Sequence, residues 1–206
     1  MKRVAVSFVL AAISVIAHTA EPAGAPPSTG APAVAGLLQK DGIRVLDGKK
    51  VVMELWFRST QPTGPKTTED AISLTNIPQG SFVGVARFSE KGSDRRGQTI
   101  KPGVYMLRLG FFPPNGDHQG VAPQRDFLVL SRVEDDTDPN TAPAFEALMT
   151  AARKASGTPH PLVLSLWKAE SAGKTGIAQE GESDWVLQSK IGDTPVSVIV
   201  AGKFDH

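Results

Sequence analysis

Imidazole and carboxylate side chains are the groups best suited to holding a metal ion or moving a proton near neutral pH, and this chain has four histidines. One of them, His118, lies in the densest polar run, Asn115-Gly116-Asp117-His118-Gln119-Gly120, which is followed by Arg125-Asp126. Asp117 offers an oxygen and His118 an imidazole to zinc or copper, with Asp126 nearby in sequence. A complete site needs three or four ligands, and only His18, His160 and His206 remain as further imidazoles. The candidate ligand-binding set is therefore Asn115, Asp117, His118, Arg125 and Asp126, with Asp117 and His118 as the metal ligands. The same run also reads as an Asn-Gly turn whose Arg125 and Asp126 pair with neighbours, and that reading needs no ligand to account for it.

Two further clusters invite chemistry. In Glu134-Asp135-Asp136-Thr137-Asp138-Pro139-Asn140, the oxygens of Asp136, Asp138 and Asn140 have the spacing that opens a calcium loop. The loop then fails, because Thr141 stands where Gly is needed and Ala147 where a bidentate Glu is needed. Acids ahead of a helix N-terminus are the simpler account. Arg87, Asp94, Arg95, Arg96 and Arg108 could bind an anion through their planar forks. Strand alternation puts Arg87 and Arg108 on outward faces, where ion pairs with neighbouring acids suffice. No Gly-x-Ser-x-Gly elbow is present. Gly173-Lys174-Thr175 lacks the glycine spacing of a phosphate loop. Glu180 and Glu182 share a glycine-rich loop that does not position them for acid–base work. The chain is read as non-enzymatic.

The elements that must carry these residues are mostly strands. Ile43–Leu46 and Val51–Arg58 flank Asp47-Gly48, a hairpin signal in which both central positions take positive φ. Val51, Met53, Leu55 and Phe57 fall on one face, with Glu54 and Arg58 on the other. Further strands are expected at Phe82–Phe88, Val104–Phe111, Phe127–Val133, Leu162–Trp167, Trp185–Ser189 and Pro195–Phe204, with a short one at Ile72–Ile77. Ser171–Gly181 reads as a flexible hairpin tip. Eight or nine short strands predict a mainly β fold, an antiparallel β-sandwich with one packed α-helix. That helix is expected over residues 141–156, capped by Asn140 or Thr141 and stopped by Gly157. Phe145, Leu148, Met149 and Ala152 form its docking stripe.

Met1-Lys2-Arg3 followed by the uncharged apolar run Val4–Ala17 has the form of an export signal. The run is short of the roughly 20 residues needed to span a bilayer. Cleavage is expected after Ala17 or Ala20, which gives a signal peptide over residues 1–20. Residues 21–36, rich in Pro and Ala, read as a flexible linker, and residues 37–206 as a single domain. Loss of Lys2 and Arg3 leaves 20 basic against 21 acidic residues. No basic stripe invites a nucleic acid or an anionic membrane, and no membrane span is expected in the mature chain. With no cysteine, disulfides and thiolate sites are excluded. A periplasmic or secreted location follows. The cofactor is unknown, and the partner is an unidentified protein or small molecule.

The run Ile100-Lys101-Pro102-Gly103-Val104-Tyr105-Met106-Leu107-Arg108 resembles one edge of many immunoglobulin-like sandwiches. From Arg95 to about Pro139 the sequence is similar to a group of uncharacterised secreted bacterial proteins, which implies an exported β domain and no reaction. A narrower resemblance is to CopC-type periplasmic copper-resistance proteins, in which a Pro-Gly-x-Tyr strand precedes an Asp-Gly-His loop and copper is bound partly by the mature N-terminal His. That resemblance implies a role for Asp117-His118, and for His18 if cleavage follows Ala17.

Overall fold

The computed structural model describes residues 17–28, 32–114, 124–171 and 173–203. Its strands are β1 (His18–Gly24), β2 (Gly42–Asp47), β3 (Lys50–Phe57), β4 (Phe82–Phe88), β5 (Gly92–Ser93), β6 (Thr99–Ile100), β7 (Gly103–Phe111), β8 (Asp126–Arg132), β9 (Val163–Lys168), β10 (Gly176–Glu180), β11 (Asp184–Ile191) and β12 (Thr194–Ala201). Two helices accompany them, α1 (Pro32–Ala35) and α2 (Phe145–Ser156).

The chain is mainly β and antiparallel, but one continuous sheet takes the place of the expected two-sheet sandwich. Ten strands run in the order β1-β2-β3-β4-β7-β8-β9-β12-β11-β10, and only β5 and β6 pair apart. Twist accumulates from strand to strand, and here it curls the sheet nearly into a barrel. The end strands β1 and β10 come into contact, and the His18 ring lies 4.8 Å from that of Trp185. The sheet thus buries its apolar face against itself. Val45, Leu55, Phe57, Tyr105, Leu107, Leu130, Leu166 and Val198 belong to one interior cluster, nearly all of them without exposed surface.

The β2–β3 hairpin forms where its sequence predicts, with one shift. Asp47 pairs with Lys50, so the loop residues are Gly48-Lys49, and of these only Gly48 has positive φ, at 60°. The segment 72–77 is not a strand. It turns inward, burying Leu74 and Ile77 in the main core.

Part of the stretch 21–36 read as a flexible linker is regular structure, in β1 and α1. Residues 21–24 complete β1, which pairs with β2 from His18 opposite Asp47 to Gly24 opposite Gly42. The Gly24 amide donates to Asp41 at 2.7 Å, and its carbonyl accepts the Trp56 indole N–H at 2.8 Å. Val34 and Leu38 then cover the outer face of Trp56, Phe82, Val85 and Met106. A composition poor in strand formers is overridden because Trp56 presents a large apolar surface that must be covered. β10 likewise forms inside the stretch read as a flexible tip, as a half-exposed edge strand hydrogen-bonded to β11.

α2 covers the outer face of β7, β8 and β9. Its residues Leu148, Met149 and Ala152 pack on Phe112, Phe127, Val129 and Val163. The helix starts later than expected, with Ala144 in the cap position and no side-chain cap. Gly157 ends it in the left-handed conformation, its amide bonded to the Arg153 carbonyl at 2.9 Å. No helix among the described residues is long and apolar enough to cross a membrane.

Candidate functional site

Of the predicted site residues, Asn115, Asp117 and His118 lie outside the described residues. Arg125 and Asp126 are described, and both act as fasteners. Asp126, fully buried at the start of β8, accepts hydrogen bonds from the Ser73 amide at 2.8 Å and the Leu74 amide at 2.7 Å. Burial pushes its carboxyl above the usual aspartate range, against the pull of those amides. Arg125 donates to the carbonyls of Phe112 and Asp70, at 2.6 and 2.7 Å, and pairs with Glu69 at 2.8 Å. Together they pin the inward-turned segment 69–77 to the sheet. Among the described residues no group of three or more His, Asp or Glu gathers to hold a metal ion. The His18 ring lies tilted against that of Trp185, and burial lowers its pKa against the opposing pull of Asp47.

The acidic run 134–140 does not form a calcium loop either. The Asp136 carboxylate is taken up by Arg108, on the outer face of β7, in a two-pronged pair of 2.7 and 2.6 Å. Ser131 donates to the same carboxylate at 2.8 Å. Arg108 has no exposed surface, so the expectation of a surface ion pair is corrected. Its remaining N–H groups bond the carbonyls of Gly80, Thr141 and Asp138, at 2.8, 2.6 and 2.7 Å. A planar guanidinium has five donors in a fixed fork, and here that fork ties the β3–β4 connection to the β8–α2 connection. Gly80 permits the close approach, since a Cβ there would lie 2.5 Å from the Pro143 carbonyl oxygen.

The rest of the arginine cluster is dispersed. Arg87 pairs with Glu54, which also accepts from Arg44 at 2.9 Å, and the Arg87 guanidinium lies over Trp56. Burial works to raise the Glu54 pKa, but the two arginines outweigh it and hold it below the usual glutamate range. Arg95 grips Asp184 at 3.0 and 2.8 Å. Asp94 accepts the amides of Arg96 and Gln98, at 3.0 and 2.9 Å, closing its own turn. These groups do not converge on a shared point.

What the two tied connections enclose is a groove of about 530 Å³. Arg58, at the end of β3, lines it together with Thr60, Thr63, Ser81 and Asn140. Much of the remaining lining is proline, including Pro78 and Pro139, whose fixed φ stiffens the walls. Sequence reading assigned Arg58 only to an outward face. The available signal was the absence of any acid from Leu55 to Thr68, which leaves this arginine without a local partner.

Comparison with protein-family models, curated proteins and solved structures finds no match to the chain.

Proposed function

We propose that the protein is an exported, non-enzymatic binding module of the bacterial envelope, periplasmic or secreted, that works through the groove between its β3–β4 and β8–α2 connections. The observation that carries this reading is where open space and committed charge fall. The interior of the sheet is filled by its own side chains, so a ligand is met at the surface, where this groove has about 530 Å³ and is lined by an arginine that no acid accompanies. The buried charged groups Arg108, Asp126, Glu54 and Asp94 each hold a loop or a neighbouring strand. That is the work of a scaffold and not of an acid–base pair.

Export rests on the charged start and apolar run of the leader. A cut after Ala17 is favoured over one after Ala20, because the latter would remove His18, Thr19 and Ala20 from their pairing with Asp47, Leu46 and Val45. Expression of the full chain in a bacterial host, followed by fractionation and intact-mass measurement, tests this. The expected product is periplasmic or in the medium and begins at His18. Cytoplasmic protein retaining Met1 would overturn the reading, and a product beginning at Glu21 would overturn the assigned cut.

A further inference from the structure

Arg58 differs from every other described arginine. Arg44, Arg87, Arg95, Arg96, Arg108 and Arg125 each pair with an acid. Arg132 donates to the Pro102 carbonyl and lies over Tyr105, and Arg153 donates to Thr150. The Arg58 side chain has no partner among the described residues, and its Nε is buried without an acceptor. Burial lowers its pKa with no acid present to offset the cost. No Asp or Glu lines the groove it faces. The side chains of Thr60, Thr63, Ser81 and Asn140 also make no hydrogen bond to a described residue, which leaves several donors beside one uncompensated cation. Thr60, Thr63 and Asn140 are exposed to solvent, so the cost of an unmet group falls on the buried Arg58 Nε, and a stiff groove that presents this guanidinium beside free hydroxyl and amide groups is preorganised for an acceptor.

We propose that this groove binds the carboxylate of an organic anion, seated on the Arg58 guanidinium and the adjacent hydroxyl and amide groups. The inference rests on the binding-module reading and names its ligand class. A single guanidinium balances one carboxylate charge in a planar fork. A phosphoryl dianion would call for a second cation, and none lines the groove. The volume exceeds that of a bare carboxylate and lies in the range of small-ligand sites, so the anion carries an organic body against the proline walls.

Amide-resolved NMR titration of the secreted protein at low salt tests the assignment, with N-acetylalanine, its neutral amide and inorganic phosphate as probes. N-acetylalanine is expected to shift the backbone resonances of Thr60, Thr63, Ser81 and Asn140, while the neutral amide leaves them in place. Arg58→Gln should weaken binding by about tenfold or more, the loss expected for a charge-assisted hydrogen bond. Arg58→Lys should fall between the two, and it serves alone if Arg58→Gln does not fold. Equal response to the neutral amide, unchanged binding in the folded variants, or no shift with any probe would overturn the site. Tighter binding of phosphate would overturn the carboxylate assignment. Export is measured separately and does not depend on Arg58, so failure of the site leaves the export reading standing.

Discussion

At the scale of single residues, two arginines on the outer face of the sheet divide the work. Arg108 is fully buried and fully satisfied, whereas Arg58 is half-buried and unmet. The bonds of Arg108 to Asp136 and to three carbonyls mean that its removal leaves a largely buried carboxylate with only Ser131 as partner and strands three acceptors at once. Arg108→Leu is therefore expected to destabilise by about 3–5 kcal/mol, the cost of breaking a buried pair on one side. Urea denaturation measures this, and a loss below about 1 kcal/mol would show that water replaces the guanidinium. Removing Asp136 as well, in Arg108→Leu/Asp136→Leu, should recover part of the loss, because no orphaned charge then remains. The carbonyls of Gly80, Thr141 and Asp138 stay unbonded, so recovery is incomplete.

At the scale of elements, legibility followed how much of an element's stability is local. The β2–β3 hairpin and β4 were readable from alternation and turn residues, because their own side chains decide which face is buried. α2 was readable from its stripe, and Leu148→Ala is expected to cost about 2–5 kcal/mol, the range for emptying a packed leucine site. Thr150→Ala, on the exposed face, should stay within roughly 0.5 kcal/mol. Equal effects of the two in chemical denaturation would mean that the helix is not docked as described. β1, α1 and β10 were not legible, because they form on surfaces made elsewhere. β1 needs the open edge of β2, Val34 and Leu38 need Trp56, and β10 needs β11. The same holds at the candidate site. Arg125 and Asp126 were singled out as polar residues in a loop, but their partners at 69–74 lie more than fifty positions away. Arg58 was passed over because the absence of a partner leaves only a faint trace in sequence.

At the scale of the whole molecule, strand content was readable and closure was not. Alternating strands specify a buried face, but not whether it meets a second sheet or its own far side. That choice is made by pairings such as β9 with β12 and by the approach of β1 to β10, which join distant parts of the chain. One residue marks the closure. Trp185 packs at a tilt against His18, the first residue of β1, and pairs with Ala201, the last of β12. The two ends of the folded chain thus meet at the start of β11. The other end of that strand reaches Gly192, whose amide bonds the Arg58 carbonyl at 2.9 Å. A protein reordered to join Lys203 to His18 through a short glycine-serine link, and opened at Gly173, should keep its near-ultraviolet circular dichroism and its groove. Loss of cooperative unfolding in that permutant would place the ends farther apart than described. At about 3.3 Å per residue, β11 puts roughly 20 Å between the corner where the ends emerge and the groove. Under the proposed reading the molecule therefore has a handle and a working end: cargo or a tag joined beside His18 or Lys203 hangs from one corner and leaves the groove at the far end of β11 free.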